Sequence, residues 1–306
     1  MDSLAAAPGT GPATSPMPVL RTSQAKASFD KLPTGRTLVM GVLNVTPDSF
    51  SDGGKHPTPD TAIAAGLRMH YAGADIIDVG GESTRPGAEE VSPEEEQRRV
   101  LPVIQALVKA GALVSIDTTH VSTAAAALDA GASIINDVAG LTIEPGMPEL
   151  VATRGVPYVL THRRGDARTM NTKTDYTDVV TDVVAELTEV REKLYAAGVA
   201  PEQIIVDPGI GFAKKDAQNW ELLSGLDVLQ EMGHRVLVAA SRKRFLGSLL
   251  SVSGKAAAPE ERDHATVAIT AISAARGAWA VRVHDVGPSL DAVKVAMQIK
   301  APHPGR

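Results

Sequence analysis

Asp117, Asn136, Asp207 and Lys243 each stand at or close behind the end of a short aliphatic run: Leu113–Ile116, Ser133–Ile135, Gln203–Val206 and Arg235–Val238. Two carboxylates, an amide and an ammonium at the ends of buried segments match the N–H-rich edge of a guanidine-like heterocycle, because only hydrogen-bonded polar groups survive burial. Taken singly, each Asp or Asn has an ordinary use as the cap of a following helix. The set points to a ligand. Arg282 and His284 form a second group. They lie two apart on a strand-like run, so their side chains share one face while Val283 takes the other. Arginine offers a fork suited to phosphate, and histidine adds a donor beside it. Arg85, Arg242 and Lys243 are expected nearby, making a locally basic rim; ion pairs with Asp285 and Glu82 are the alternative use of these cations. Lys243-Arg244 also reads as a solvated basic turn, but its place behind Val236-Leu237-Val238-Ala239-Ala240 and before a helical stretch favours function. Asn44 closes a third run, Leu38 to Leu43. With the acids of the following loop it supplies the hard oxygens preferred by Mg²⁺, usually alongside substrate phosphates. Together these residues describe a phosphate-bearing polar heterocycle bound with Mg²⁺.

What must position them is a repeated unit of strand, polar loop and amphipathic helix. Strands are expected at Thr37–Leu43, Asp75–Val79, Leu113–Ile116, Ser133–Ile135, Tyr158–Leu160, Gln203–Val206, Arg235–Val238 and Ala278–Val283. Their continuous aliphatic runs indicate parallel strands buried on both faces. The Ser92–Lys109 stretch is the clearest helix, with Ser92 as N-cap, Pro93 in the first turn and Glu95 in the capping-box position. Ala72-Gly73-Ala74, Ala110-Gly111-Ala112, Ala130-Gly131-Ala132 and Ala197-Gly198-Val199 read as helix stops, since glycine accepts the left-handed conformation. Eight strands and about eight helices fit an α/β fold of the (β/α)8 TIM-barrel type, in which strand C-termini carry the active site. A doubly wound open sheet is the alternative, disfavoured because no GxGxxG follows the first strand. The expected divisions are a disordered Pro/Ala/Ser-rich leader at 1–36, one barrel at 37–300 and a tail at 301–306.

Composition narrows the function. The 306-residue chain has no cysteine, which excludes disulfides, thiolate metal sites and cysteine nucleophiles. A net charge of −6 and only 3% aromatic residues argue against nucleic-acid binding. No run approaches a membrane span, and the leader lacks a signal peptide's basic start and apolar stretch, so a cytoplasmic protein is expected.

Seven segments, Gly41–Gly54, Asp78–Gly87, Ser115–Thr118, Ile135–Val138, Asp207–Phe212, Ser241–Gly247 and Arg282–Val286, together resemble the dihydropteroate synthases of bacterial folate synthesis, of an actinobacterial type. The resemblance covers residues 37 to 300. It implies condensation of (7,8-dihydropterin-6-yl)methyl diphosphate with 4-aminobenzoate, releasing pyrophosphate. It places Asp117, Asn136, Asp207 and Lys243 on the pterin. Asn44 becomes the Mg²⁺ ligand, with Arg282 and His284 on the diphosphate. Thr84, Arg85 and Pro86, with Phe50, Phe212, Lys243 and Arg244, build the aminobenzoate pocket, and Phe50 and Asp52 shield the reaction from water. Family members are commonly homodimers and sulfonamide targets.

Two departures stand out. The fifth strand ends Thr161-His162-Arg163 where the family has Met-His-Met, and Arg244 stands where many members have Ser. Both bear on the pterin floor and the sulfonamide-facing edge. Two rival readings are a pterin-barrel methyltransferase, which has no need of the Ser241-Arg242-Lys243 and Arg282-Val283-His284 cations, and a non-catalytic paralogue, which ought to have lost some of these residues.

Overall fold

Aliphatic residues recurring at every second position of eight short strands decide the architecture. The computed structural model describes residues 29–46, 59–83 and 90–300. In chain order the strands are β1 Leu38–Asn44, β2 Ile76–Gly80, β3 Val114–Asp117, β4 Ile134–Asp137, β5 Tyr158–Thr161, β6 Ile204–Asp207, β7 Arg235–Val238 and β8 Ala280–Val283. All neighbours pair in parallel, and β8 returns to β1 with Ala280 beside Leu38, closing the expected (β/α)8 barrel. Helices including Pro59–Tyr71, Pro93–Lys109, Val121–Asp129 and Val179–Ala196 lie between the strands in sequence. Among the described residues no helix is long and apolar enough to cross a membrane.

The N-cap and proline signals act as read, whereas the capping-box role of Glu95 is not realised. Ser92 Oγ accepts the Glu95 N–H at 3.3 Å, and Pro93 opens the helix, while the Glu95 carboxylate takes Arg98 and Arg99. At the far end Gly111 turns to φ 89°, letting the Ala112 N–H reach the Leu107 carbonyl at 3.0 Å. Gly73, Gly131 and Gly198 adopt the same left-handed conformation.

Each strand has two buried faces of different character. Val39, Leu43, Ile77, Val79, Ile116, Ile135, Leu160, Val206 and Val283 belong to the large outer core with the helices. Leu38, Met40, Ile76, Ile134, Val159, Ile205, Leu237 and Ala280 fill the lower barrel interior. Two positions further along the same inward rows stand Asp78, Asn136, Thr161, Asp207 and Arg282. The barrel interior is thus apolar at the base and polar at the C-terminal rim. Asp117, Asn136 and Asp207 are strand residues rather than residues just beyond, because the ladder continues through Gly80↔Asp117 and Asp117↔Asn136. Backbone pairing is indifferent to an inward polar side chain when a polar cavity receives it.

The end of the expected leader, from residue 29, belongs to the fold. Leu32 is buried in the lower core, and Phe29 meets Trp279 edge-on with ring centroids 5.9 Å apart. Residues 1–28 and the 301–306 tail lie outside the described residues.

Candidate active site

The polar layer at the rim is organised by one arginine. Outward packing of Val281 and Val283 turns Arg282 inward, where Nε donates to Asp78 Oδ2 at 2.6 Å and Nη2 to Asp117 Oδ2 at 2.5 Å. Asn136 Nδ2 donates to the same Asp78 oxygen at 2.9 Å. The capping alternative does not hold for these two residues: neither Asp117 nor Asn136 caps a helix, and His120 occupies the N-cap before Val121–Asp129. Asp137, one residue on, points outward and binds the Ala139 N–H and the Tyr158 hydroxyl. The ion-pair alternative holds for Arg282 with different partners from Asp285 and Glu82, and those partners are themselves part of the polar layer.

Two carboxylates sharing one guanidinium leave the layer incompletely neutralised. Burial pushes Asp117 above the usual carboxylate range, and Asp207 likewise. Although burial works against its charge, Arg282 is held above the ordinary guanidinium value by Asp78 and Asp117. Asp78 Oδ1, Ser115 Oγ and Thr161 Oγ1 are buried with no hydrogen-bond partner among the described residues. Buried acceptors and hydroxyls are rarely left so, and each unpaired group costs about 1–3 kcal/mol. Such a layer calls for a ligand rich in donors.

Lys243 enters from the next loop. Arg242 adopts φ 58°, and its side chain turns to a bidentate pair with Asp263 at 2.8 Å. Arg242 borders the rim cavity as expected, but its charge is paired with Asp263, which also anchors the loop. Ser241 Oγ meets His284 Nδ1 at 2.9 Å, and Lys243 Nζ donates to the Ile210 carbonyl. The same ammonium lies 4.5 Å from the Phe212 ring centroid, and burial lowers its pKa to about 8.

Asn44, Asp117, Asn136, Asp207, Phe212, Lys243, Arg244, Arg282 and His284 all border one cavity of about 500 Å³. The structure therefore brings together every described member of the expected site. Phe50, Asp52, Thr84, Arg85 and Pro86 lie outside the described residues. Of the departures, Arg244 is exposed at the cavity, Thr161 sits inward at the end of β5, and Arg163 is partly buried with its Nε unpartnered among the described residues. Asp78 escaped the sequence reading. Its signal was a lone charge inside Ile76-Ile77-Asp78-Val79, in phase with the inward row.

The metal expectation can be set against the donors present. Among the described residues no group of three or more His, Asp or Glu converges as a metal cage. Asn44 offers a single amide oxygen on the cavity wall. One hard protein ligand beside a diphosphate site suits Mg²⁺, which keeps waters and substrate oxygens in its shell.

Comparison with known proteins agrees with this geometry. A family profile described as "Pterin binding enzyme" matches residues 40–284, from β1 to the histidine after β8. Dihydropteroate synthase of Mycobacterium leprae is 49% identical over 259 residues, covering 84% of this chain and 91% of that one. The Xanthomonas albilineans dihydropteroate synthase with 4-aminobenzoic acid superposes with a TM-score of 0.80 at 43% identity, over 88% of this chain and 94% of that one. The same enzyme in complex with 7,8-dihydropteroate gives 0.78 at 41% identity, over 89% and 97%. The chain belongs to the pterin-binding enzyme family and, within it, to the dihydropteroate synthases.

Proposed function

We propose that the rim cavity divides the dihydropteroate synthase reaction among its residues by charge. The enzyme condenses (7,8-dihydropterin-6-yl)methyl diphosphate with 4-aminobenzoate to 7,8-dihydropteroate and pyrophosphate. Asp117, Asp207 and Asn136 take the N–H edge of the pterin, and Lys243 donates to it from the side. The observation that carries this assignment is the inward polar layer itself: carboxylates outnumbering their buried cation, with orphaned acceptors beneath a cavity bordered by Lys243. A donor-rich ring completes that layer.

Arg282 and His284 hold the diphosphate. The methylene C–O bond breaks with its electron pair leaving on the diphosphate, the aminobenzoate nitrogen forms the new C–N bond, and one N–H proton is lost. Asn44 would hold Mg²⁺, which when bound neutralises charge on the leaving group. Positioned cations aimed at developing charge are commonly the largest contribution to such a step. The electron-rich dihydropterin shares the developing positive charge, so departure runs ahead of attack. The arylamine is already nucleophilic and needs orientation more than a base. Thr84, Arg85 and Pro86, with Phe212 and Arg244, form its pocket, and Phe50 and Asp52 shield the cation from water.

A cytoplasmic homodimer completes the proposal. Ile272, Val295 and Ile299 expose apolar surface on Asp263–Ala275 and Val286–Lys300, two helices packed on each other, and such surface suits a second copy. The test is direct: purified protein with the pterin diphosphate, 4-aminobenzoate and Mg²⁺ releases pyrophosphate, and release depends on all three. Release with no 7,8-dihydropteroate formed when 4-aminobenzoate is present, or none at all, overturns the reading.

A further inference from the structure

From Lys214 on the cavity wall a buried chain of titratable groups, which the reaction does not consume, runs outward through the protein. His162, at the end of β5, is fully buried, with Nε2 2.8 Å from Glu186 Oε2 and Nδ1 3.0 Å from Lys214 Nζ. Glu186, on the Val179–Ala196 helix, is also gripped by Arg164. Lys214 is 5% exposed, and its ammonium reaches the Gly209 carbonyl at 3.1 Å and the Phe212 carbonyl at 3.0 Å. Three acceptors meet the three N–H bonds of one ammonium.

We propose that Glu186, His162 and Lys214 form a positioning relay that sets the shape of the 207–214 turn, and through it the place of Lys243 and Phe212 over the substrates. The inference rests on the dihydropteroate synthase reading of the cavity. That turn holds itself poorly. Ala213 sits at φ 50°, a left-handed conformation disfavoured by about 1–2 kcal/mol for a residue with a Cβ. Gly209, at φ 67°, approaches so closely that a Cβ would collide with the His162 carbonyl oxygen. Lys214 ties both ends of this bend, Gly209 and Phe212, and the Phe212 N–H closes back on Gly209 at 3.0 Å. On the opposite side of the bend the Ile210 carbonyl accepts Lys243 and the Phe212 ring lies against its ammonium.

The relay has a direction. A carboxylate only accepts, so Glu186 fixes the proton of His162 on Nε2 and leaves Nδ1 as a lone pair for Lys214. Burial, with Lys214 alongside, lowers His162 to about 4, which keeps the ring neutral. Although burial opposes its charge, Glu186 is held down to about 2 by hydrogen bonds from His162 and Arg164.

Lys214→Met keeps the stem and removes the donors. Its expected effect is a loss in kcat and a rise in the aminobenzoate KM, together on the order of tenfold to a hundredfold in kcat/KM. Glu186→Leu, at the outer end and away from both substrates, is expected to cost several-fold in the same parameters, about a tenth of the Lys214 effect on kcat/KM. It keeps the proposal falsifiable if the first variant fails to fold. In ¹⁵N NMR of the unmodified enzyme at neutral pH, His162 should be the neutral Nε2–H tautomer. Unchanged kcat and KM in folded Lys214→Met or in Glu186→Leu, or an Nδ1–H or doubly protonated His162, overturns the relay. Absence of pyrophosphate release by the unmodified enzyme overturns the functional reading instead, and leaves the tautomer to be read on its own.

Discussion

At the base of the barrel Arg36, His234, Arg235, Trp279 and Lys300 border a cavity of about 770 Å³, larger than the 500 Å³ one at the rim. Both ends contain an Arg–Asp pair, only partly buried at the base, and the two pairs are built differently. At the base Arg36 grips Asp75 with two bonds of 2.8 and 2.6 Å, and Asp75 also accepts the Val39 N–H at 2.8 Å. Arg235 lies 3.8 Å from the Phe29 ring centroid and donates to the Glu202 carbonyl, and Thr37 Oγ1 donates to the Ala278 carbonyl. Arg36 and Asp75 pair one to one, and no buried side-chain polar atom at this end is left unpartnered among the described residues. At the rim one guanidinium serves two carboxylates, with three buried polar atoms unpartnered among the described residues around them. Size does not distinguish the ends; completeness does. The base is finished by the chain itself, whereas the rim is finished by its ligand, an arrangement that trades stability for function.

Lys243→Ala tests that contrast most severely. The expected loss is about 10²–10³-fold in kcat/KM with the melting temperature nearly unchanged, since its ammonium is bound to a single carbonyl. Retained activity would end the assigned role. The same lysine predicts an alkaline limit. Burial depresses it to about 8, so the ammonium is present below that pH and lost above it. The kcat/KM for the pterin diphosphate should therefore fall about tenfold per pH unit beyond about 8.

Asp117→Asn separates the two ends further. Activity should drop on the order of a hundredfold, while the melting temperature holds or rises, because one of two carboxylates competing for Arg282 is gone. A drop of several degrees would show that the rim pair stabilises the fold as the base pair does. Asp75→Asn is the mirror experiment and the smallest effect. It should cost about 1–3 kcal/mol in chemical denaturation, with kcat and both KM values unchanged.

Much of this was legible without coordinates. Aliphatic runs punctuated by Ala-Gly stops gave the barrel, and the strand-end rule gathered Asn44, Asp117, Asn136, Asp207 and Arg282 because each lies in phase with an inward row. Asp78 was missed for the converse reason: it lies inside a run read only for its hydrophobicity. Arg242 reaches the cavity as expected, but its pairing with Asp263 had no signal, because Ser241-Arg242-Lys243 reads as a unit and only a positive φ sends the middle side chain there. Lys214 had no signal at all. Lys214-Lys215 looks like a solvated pair until the chain folds His162, from 52 residues earlier, against it.

The divided grip of Arg282 has a thermodynamic consequence. One of its two bonds, from Nη2, ties Asp117, the carboxylate proposed to face the pterin, to the cation proposed to receive the diphosphate. A ring that captures Asp117 releases the guanidinium, and an anion that captures the guanidinium releases Asp117. Coupling of this kind is reciprocal, so whatever factor the ring lends the diphosphate, the diphosphate lends the ring. With the roles proposed for Asp117 and Arg282, the two halves of one substrate would be recognised cooperatively, each half bound weakly until the other arrives.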